Sequence, residues 1–216
     1  MAKVNIFNGV ISGKLGQMVL VNGKNGVYVR SLPKANDRKS EAQLKQRGKM
    51  QQANAFLKPL KEFLKVGFVE RKPTQNPYQA ATSALMRGAF VENELDYSRA
   101  RVCEGSVCPP VKNSVSLSDH VAIFRWDDNS GDLDAHSTDH AVILLYNPET
   151  ETAVWEIKKE TRKDQYCLHL IEAQYIGNFH VYMAFVNRRK DRISNSNYLG
   201  VIEIQKTITE EEFETS

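Results

Sequence analysis

From Val115 onward the chain keeps returning to one pattern: a short run of β-branched and aromatic residues, then a turn. The runs are Val115–Trp126, Ala141–Tyr146, Ala153–Ile157, Tyr166–Ile171, Phe179–Val186 and Tyr198–Ile204. Between them lie Asp127-Asp128-Asn129-Ser130-Gly131, Asn147-Pro148, Gly177-Asn178 and Ser194-Asn195-Ser196-Asn197. Asn, Asp and Gly accept the backbone angles of tight turns, so each cluster ends a strand. Six or seven such strands over about 100 residues predict an immunoglobulin/fibronectin-III-like β-sandwich. Trp126 and Tyr182 are its expected core aromatics.

The first hundred residues follow a different grammar. Val19-Leu20-Val21 and Val27-Tyr28-Val29 flank Asn22-Gly23-Lys24-Asn25-Gly26, which predicts a β-hairpin, with residues 4–12 available as a further strand. Ser40 and Gln43 then have capping-box spacing, and Ala53, Phe56, Leu57, Leu60, Phe63, Leu64 and Gly67 form a stripe of helical period. Pro59 must kink or restart that helix. A second helix is expected from Pro77 to Phe90, capped by Asn76, and the two helices are expected to form a hairpin. The predicted class is therefore α+β: an N-terminal β-hairpin and helical hairpin at 1–98, a β-sandwich at 99–208 and an acidic tail at 209–216.

Charge divides the chain more sharply than its total shows. Residues 1–100 hold 17 Lys/Arg against 7 Asp/Glu, and residues 101–216 hold 12 against 19, although the formal net is only +3. Opposite ends of this kind favour an acidic partner or contact with further copies of the chain. No apolar run has the form of a secretory signal or reaches the length of a membrane helix. The expected location is a virion or the cytoplasm, with no membrane partner.

Few residue sets carry chemistry. Cys103 and Cys108 lack a second pair at zinc-ligand spacing, and with Cys167 they are expected as free thiols. Asp127, Asp128, Asn129 and Asp132 are the candidate oxygen ligands for calcium, but Gly131 falls one place short of the EF-hand glycine and no acid stands at the twelfth position. His136 and His140 lead into a strand, where i and i+4 lie about 13 Å apart. No nucleophile elbow or phosphate-loop motif is present. The expectation is a non-enzyme with no cofactor. The residues expected to make contacts are Val19, Val21, Asn22, Lys24, Asn25, Val27, Tyr28 and Arg30, because a two-stranded ribbon is marginal until something covers it. A basic face is expected from Lys34, Arg38, Lys39, Lys45, Arg47 and Lys49, continued by Lys58, Lys61, Lys65, Arg71 and Lys72.

Several stretches in order carry a family resemblance: GVISGKLGQMVLVNGKNGVYVRSLP, SEAQLKQR, FLKPLKEFLKVGF, FRWDDNSG, AVILLYNPETETAVW, VYMAFV and SNSNYLG. Together they resemble an uncharacterised domain-of-unknown-function family of about 200 residues, abundant in Bacteroidota and their mobile elements and phages. The resemblance implies one recurrent module over nearly the whole chain, and it implies no activity, cofactor or site residue. The leading expectation is a structural or assembly protein, most concretely a bacteriophage ring, connector or tail component joined by protein contacts. The alternatives are a carbohydrate- or surface-ligand-binding sandwich and a nucleic-acid-associated protein using the basic N-terminal half.

Overall fold

The computed structural model describes residues 4–7, 10–23, 26–32 and 40–205. The chain divides into two compact units, Met1–Gln43 and Leu44–Ser216. In the first, β1 (Val4–Phe7), β2 (Val10–Leu15), β3 (Met18–Gly23) and β4 (Gly26–Ser31) form an antiparallel meander in chain order. The stretch 4–12, read as one strand, instead enters two. Gly16 takes the left-handed conformation that the β2–β3 turn requires, with φ of 57°.

The helix α1 (Glu41–Leu57) begins just before the division at 43/44 and continues as the first element of the second unit. Only Ala53, Phe56 and Leu57 of this helix are buried, so its earlier turns are held by little packing. The Gln43 amide donates to Ser40 Oγ at 3.4 Å, which is half of the expected capping box. Pro59 ends the regular helix, and after irregular turns α2 (Leu64–Gly67) resumes it. Next comes α3 (Pro77–Gly88), where Asn76 Oδ1 accepts from the Tyr78 amide at 2.9 Å and Gln79 Oε1 accepts from the Asn76 amide at 3.4 Å. That reciprocal cap explains why the helix starts where it does. A two-residue pair, β5 (Phe90–Val91) and β6 (Glu94–Leu95), leads into the strand-rich part.

Seven strands follow: β7 (Val111–Ser118), β8 (Val121–Asp127), β9 (His140–Asn147), β10 (Thr152–Thr161), β11 (Tyr166–Leu170), β12 (Gly177–Val186) and β13 (Asn197–Ile204). They form two antiparallel sheets, ordered β11-β8-β7 and β10-β9-β12-β13. The run Val115–Trp126, read as one strand, is a hairpin: Asp119 turns it at φ of 52°, and Ser118 pairs with Val121. Only Asp119 and His120 separate the two alternating runs, an interruption too short to stand out in the sequence.

Burial shows how the layers stack. Ala141, Ile143 and Leu145 of β9, with Val181, Met183 and Phe185 of β12, pack between the sheets against Ala122, Phe124 and Trp126 of β8. The alternate residues Val142, Leu144 and Tyr146, with Tyr182, Ala184 and Val186, pack on the other side against Phe56, Leu57, Leu60, Leu64, Ala81 and Leu85. The four-stranded sheet is thus buried on both faces, which is why β9 and β12 read as continuous apolar runs. It also corrects the boundary expected at 98/99. The helices own no separate core; they cover one sheet of the sandwich, and the compact units part at 43/44 instead.

Candidate interaction surfaces

The acidic turn after β8 is tied down piece by piece. Lys112 Nζ lies 2.9 Å from Asp127, and Asp128 Oδ1 accepts from the Ser130 amide at 2.8 Å. Asp134 pairs with Arg192 at 3.0 Å. Asp139, 1% exposed, pairs at 3.1 Å with Arg162, which is fully buried. Arg162 also donates to the Asn129 side chain and the Cys108 carbonyl, and its guanidinium sits 4.0 Å from the centre of the Phe185 ring. Trp126 Nε1 donates to the Arg162 carbonyl at 2.7 Å. The loop folds around one buried arginine, so Asp127, Asp128, Asn129 and Asp132 do not converge. Among the described residues, no three His, Cys, Asp or Glu side chains are placed to hold a metal ion. His140 Nδ1 lies 3.1 Å from the Lys159 carbonyl, and the His136 amide donates to Asp139 Oδ2 at 2.9 Å. Cys103 and Cys167 are buried; burial holds the Cys103 thiol far above its usual range and pushes Cys167 up to about 12. Neither is a ready nucleophile.

The contact residues expected on the first unit separate onto two faces. Val19 pairs with Arg30 and Val21 with Tyr28, whereas Asn22 pairs with Val27 and Leu20 with Val29. Successive side chains alternate across a strand, so Val19, Val21, Tyr28 and Arg30 share one face while Asn22 and Val27 belong to the other. Val27, Tyr28 and Val29 are each more than half exposed. Lys24 and Asn25 lie outside the described residues, as do Lys34, Arg38 and Lys39. Lys45 and Arg47 are two apart on α1, so they point to different sides, and Lys49 Nζ sits 5.6 Å over the Phe90 ring. Lys45 and Lys49, four apart, share one side of α1, and the other three residues of the expected basic face besides Arg47 lie outside the described residues.

Two other surfaces form. The first is the outward face of the three-stranded sheet. Tyr166, Leu168 and Leu170 of β11 are 55%, 52% and 71% exposed, while Cys167 and His169 between them are buried. Their register partners on β8 are Arg125, Ile123 and Val121, whose partners on β7 are Ser114, Ser116 and Ser118. Nine positions in register therefore present five large apolar or aromatic side chains, three serines and one charge. The large side chains of β11 on this face are left exposed. The row Tyr166, Leu168 and Leu170 is the more apolar one, so the sequence of β11 points it inward, against the structure.

The second is a run of three hollows beside the helices. One, of about 750 Å³, is lined by Lys58, Lys61, Lys65 and Arg71 around Tyr78 and the N-terminus of α3. It shares Arg71 with a second, of about 620 Å³, which adds Lys72, Arg87 and Arg101. That one shares Arg87 and Arg101 with a third, of about 630 Å³, which adds Arg99. The acids that line them are Glu70 and Glu104. Glu70 Oε1 accepts from the backbone amides of Ser106 and Ile193 at 3.0 and 2.8 Å, and Glu104 is bound by Arg87 Nη2 at 2.6 and 2.9 Å. Arg71 is held by the carbonyls of Gln75 and Phe68, which satisfy its donors without cancelling its charge. Lys58 to Lys72 were legible as a basic stretch; Arg87, Arg99 and Arg101 were not, because only the fold carries them to the same side.

These features define a predominantly antiparallel-β protein, a two-sheet sandwich with one sheet under a helical cap and the other bare. The chain belongs to a family of unknown function, DUF6266, which it matches over residues 10–200. No curated protein matches it. Among solved structures it is similar to an fn3 domain of human contactin 1, at 11% identity and a TM-score of 0.28, covering 50% of this chain and 85% of that one. That likeness is too slight to carry an argument. No described helix is long and apolar enough to cross a membrane.

Proposed function

We propose that this protein is a non-enzymatic assembly component that joins further copies of itself through the bare face of the three-stranded sheet. The strand order supports reading the sandwich as fibronectin-III-like. The first, second and fifth of its seven strands share one sheet, and the third, fourth, sixth and seventh share the other. The observation that carries the function is the exposed row Tyr166, Leu168 and Leu170 beside Ile123 and Val121. Only Arg125 is charged on that grid, so two copies meet there face to face with little repulsion.

Size decides what such contact can do. Three strands about 4.8 Å apart and five residues at about 3.3 Å each make a face of roughly 14 by 17 Å. A stable pair buries about 800 Å² on each side. One contact is therefore weak, and strength comes when several act together. That is the behaviour of a tile, and a bacteriophage ring, connector or tail is the setting we propose; mass spectrometry of purified particles tests it. Analytical ultracentrifugation tests the contact itself. Self-association is expected to grow with concentration, and Leu168→Lys is expected to abolish it while the melting temperature stays within a few degrees. A strict monomer at all concentrations refutes the proposal.

A hollow of about 580 Å³ supports a second reading, carbohydrate binding, because it places exposed Tyr166 beside Arg125, Asp127 and Gln165. A glycan-array signal lost in Tyr166→Ala, without change in self-association, would favour it.

A further inference from the structure

We infer that the three joined hollows beside the helices form a track for the phosphate backbone of single-stranded nucleic acid. The charge balance comes first. Eight cations line the run, four in the first hollow, three added by the second and one by the third, against two acids. Glu70, bonded to two backbone amides, keeps its negative charge, and Glu104 offsets Arg87, so eight cations against two acids leave a surplus of six along the run. Arg99 is partly offset by Asp96 at 3.4 Å and Lys65 by Glu62. Lys58, Lys61, Lys72 and Arg101 make no ion pair among the described residues. Four exposed cations without partners, along joined concavities, are an electrostatic footprint for a polyanion.

The α3 N-terminus adds to this. It opens on the first hollow, and the partial positive charge at the start of a twelve-residue helix favours an anion there. Alone that would mean little; here it adds to four side-chain cations around the same space.

Shape then selects the form of the polyanion. A duplex is stiff over about 150 base pairs and cannot dip into successive hollows. A single strand can follow them. Tyr78 offers one ring for stacking, with its hydroxyl engaged on Asn54 at 3.0 Å. One ring gives little base preference, so binding is blind to sequence and set by phosphates.

This surface is independent of the bare sheet face proposed for self-association, and the two fail separately. The probe is a fluorescein-labelled single-stranded DNA of about 20 nucleotides, in two unrelated sequences, followed by anisotropy from 50 to 300 mM NaCl. Neutralising about four phosphates gives an expected slope of log K against log salt of about −3, since a single strand contributes about −0.7 per phosphate. The two sequences are expected to bind within about threefold of each other, and a duplex of the same sequence more weakly. The triple variant Lys58→Ala/Lys61→Ala/Arg101→Ala is expected to weaken binding at least tenfold at 50 mM and to flatten the slope by about 2. The control Arg188→Ala/Arg189→Ala/Lys190→Ala, on the exposed turn after β12, is expected to bind as the parent does. Leu168→Lys is also expected to bind normally. Absence of binding at 50 mM salt, equal loss in the control, tighter binding of duplex, or equally strong competition by polyglutamate each overturns the inference.

Discussion

Arg162 shows what one residue does in this fold. It lies with Asp139 in a place no water reaches, and its donors reach the Asn129 side chain and the Cys108 carbonyl as well. Removing one partner of such a pair leaves the other charge buried and unpaired, which costs about 3–5 kcal/mol. Arg162→Met is therefore expected to lower unfolding free energy by that much in urea titration, and Arg162→Met/Asp139→Leu to restore much of it. If the double variant were no better than the single one, the cost would lie in packing rather than in the orphaned carboxylate. A second residue-scale prediction concerns acid. Burial, with Lys158 nearby, lowers the His169 pKa against the opposing pull of Glu156 at 3.1 Å, and burial likewise lowers that of His180. Folded pKa values below the free value of about 6.5 mean that the unfolded chain takes up protons first. Stability is thus complete above about pH 6.5 and declines as pH falls below it. Melting temperatures at pH 7.5 and 5.5 are expected to differ in that sense, and His169→Gln/His180→Gln to narrow the gap. Little of this was legible beforehand. In the sequence, Arg162 within Thr161-Arg162-Lys163-Asp164 looks like part of any solvated turn.

At the scale of elements, legibility followed how many layers each element touches. The capped start of α3 could be read from Asn76, Pro77 and Gln79 because capping is local chemistry. Trp126 and Tyr182 could be placed in cores, and both are buried. The alternate rows of β9 and β12 served two different cores, a fact present in their unbroken apolar runs but taken for ordinary sandwich strands. The reverse happened at β11. Its exposed residues are Tyr, Leu and Leu, and its buried ones are Cys and His, so hydrophobicity alone assigns its faces backwards. Such inversion is expected where a surface is kept apolar for a partner. The acidic turn misled for a different reason. Carboxylates close in sequence can be aimed apart by their neighbours, as Lys112, Arg162 and Arg192 do here.

At the scale of the molecule, the change of charge near residue 100 and the division into compact units at 43/44 are separate facts, and stability follows the second. Among the described residues, every buried member of both cores lies between Ala53 and Ile204. The helices and turns that supply the cations also bury Phe56, Leu60, Leu64, Ala81 and Leu85 under the four-stranded sheet, so the basic hollows and the sandwich are expected to melt together. The first unit has the opposite character: it is a short meander with Leu15, Met18, Val27, Tyr28 and Val29 exposed. Chains shorter than about 40 residues rarely bury enough surface to fold without a staple or partner. Deleting residues 1–40 is therefore expected to leave one cooperative transition, with a melting temperature within about 3 °C of the full chain's, since surface segments outside a core contribute little. A peptide of residues 1–43 is expected to give the circular dichroism of an unfolded chain. The truncated protein should also keep the β11-face contact and the oligonucleotide track, because no residue named in either lies in the part removed. A fall in melting temperature of more than about 10 °C, far beyond what a small surface loss causes in a domain this size, would mean that the meander completes a core of the larger unit. The division of the molecule at residue 43 would then be wrong in energetic terms.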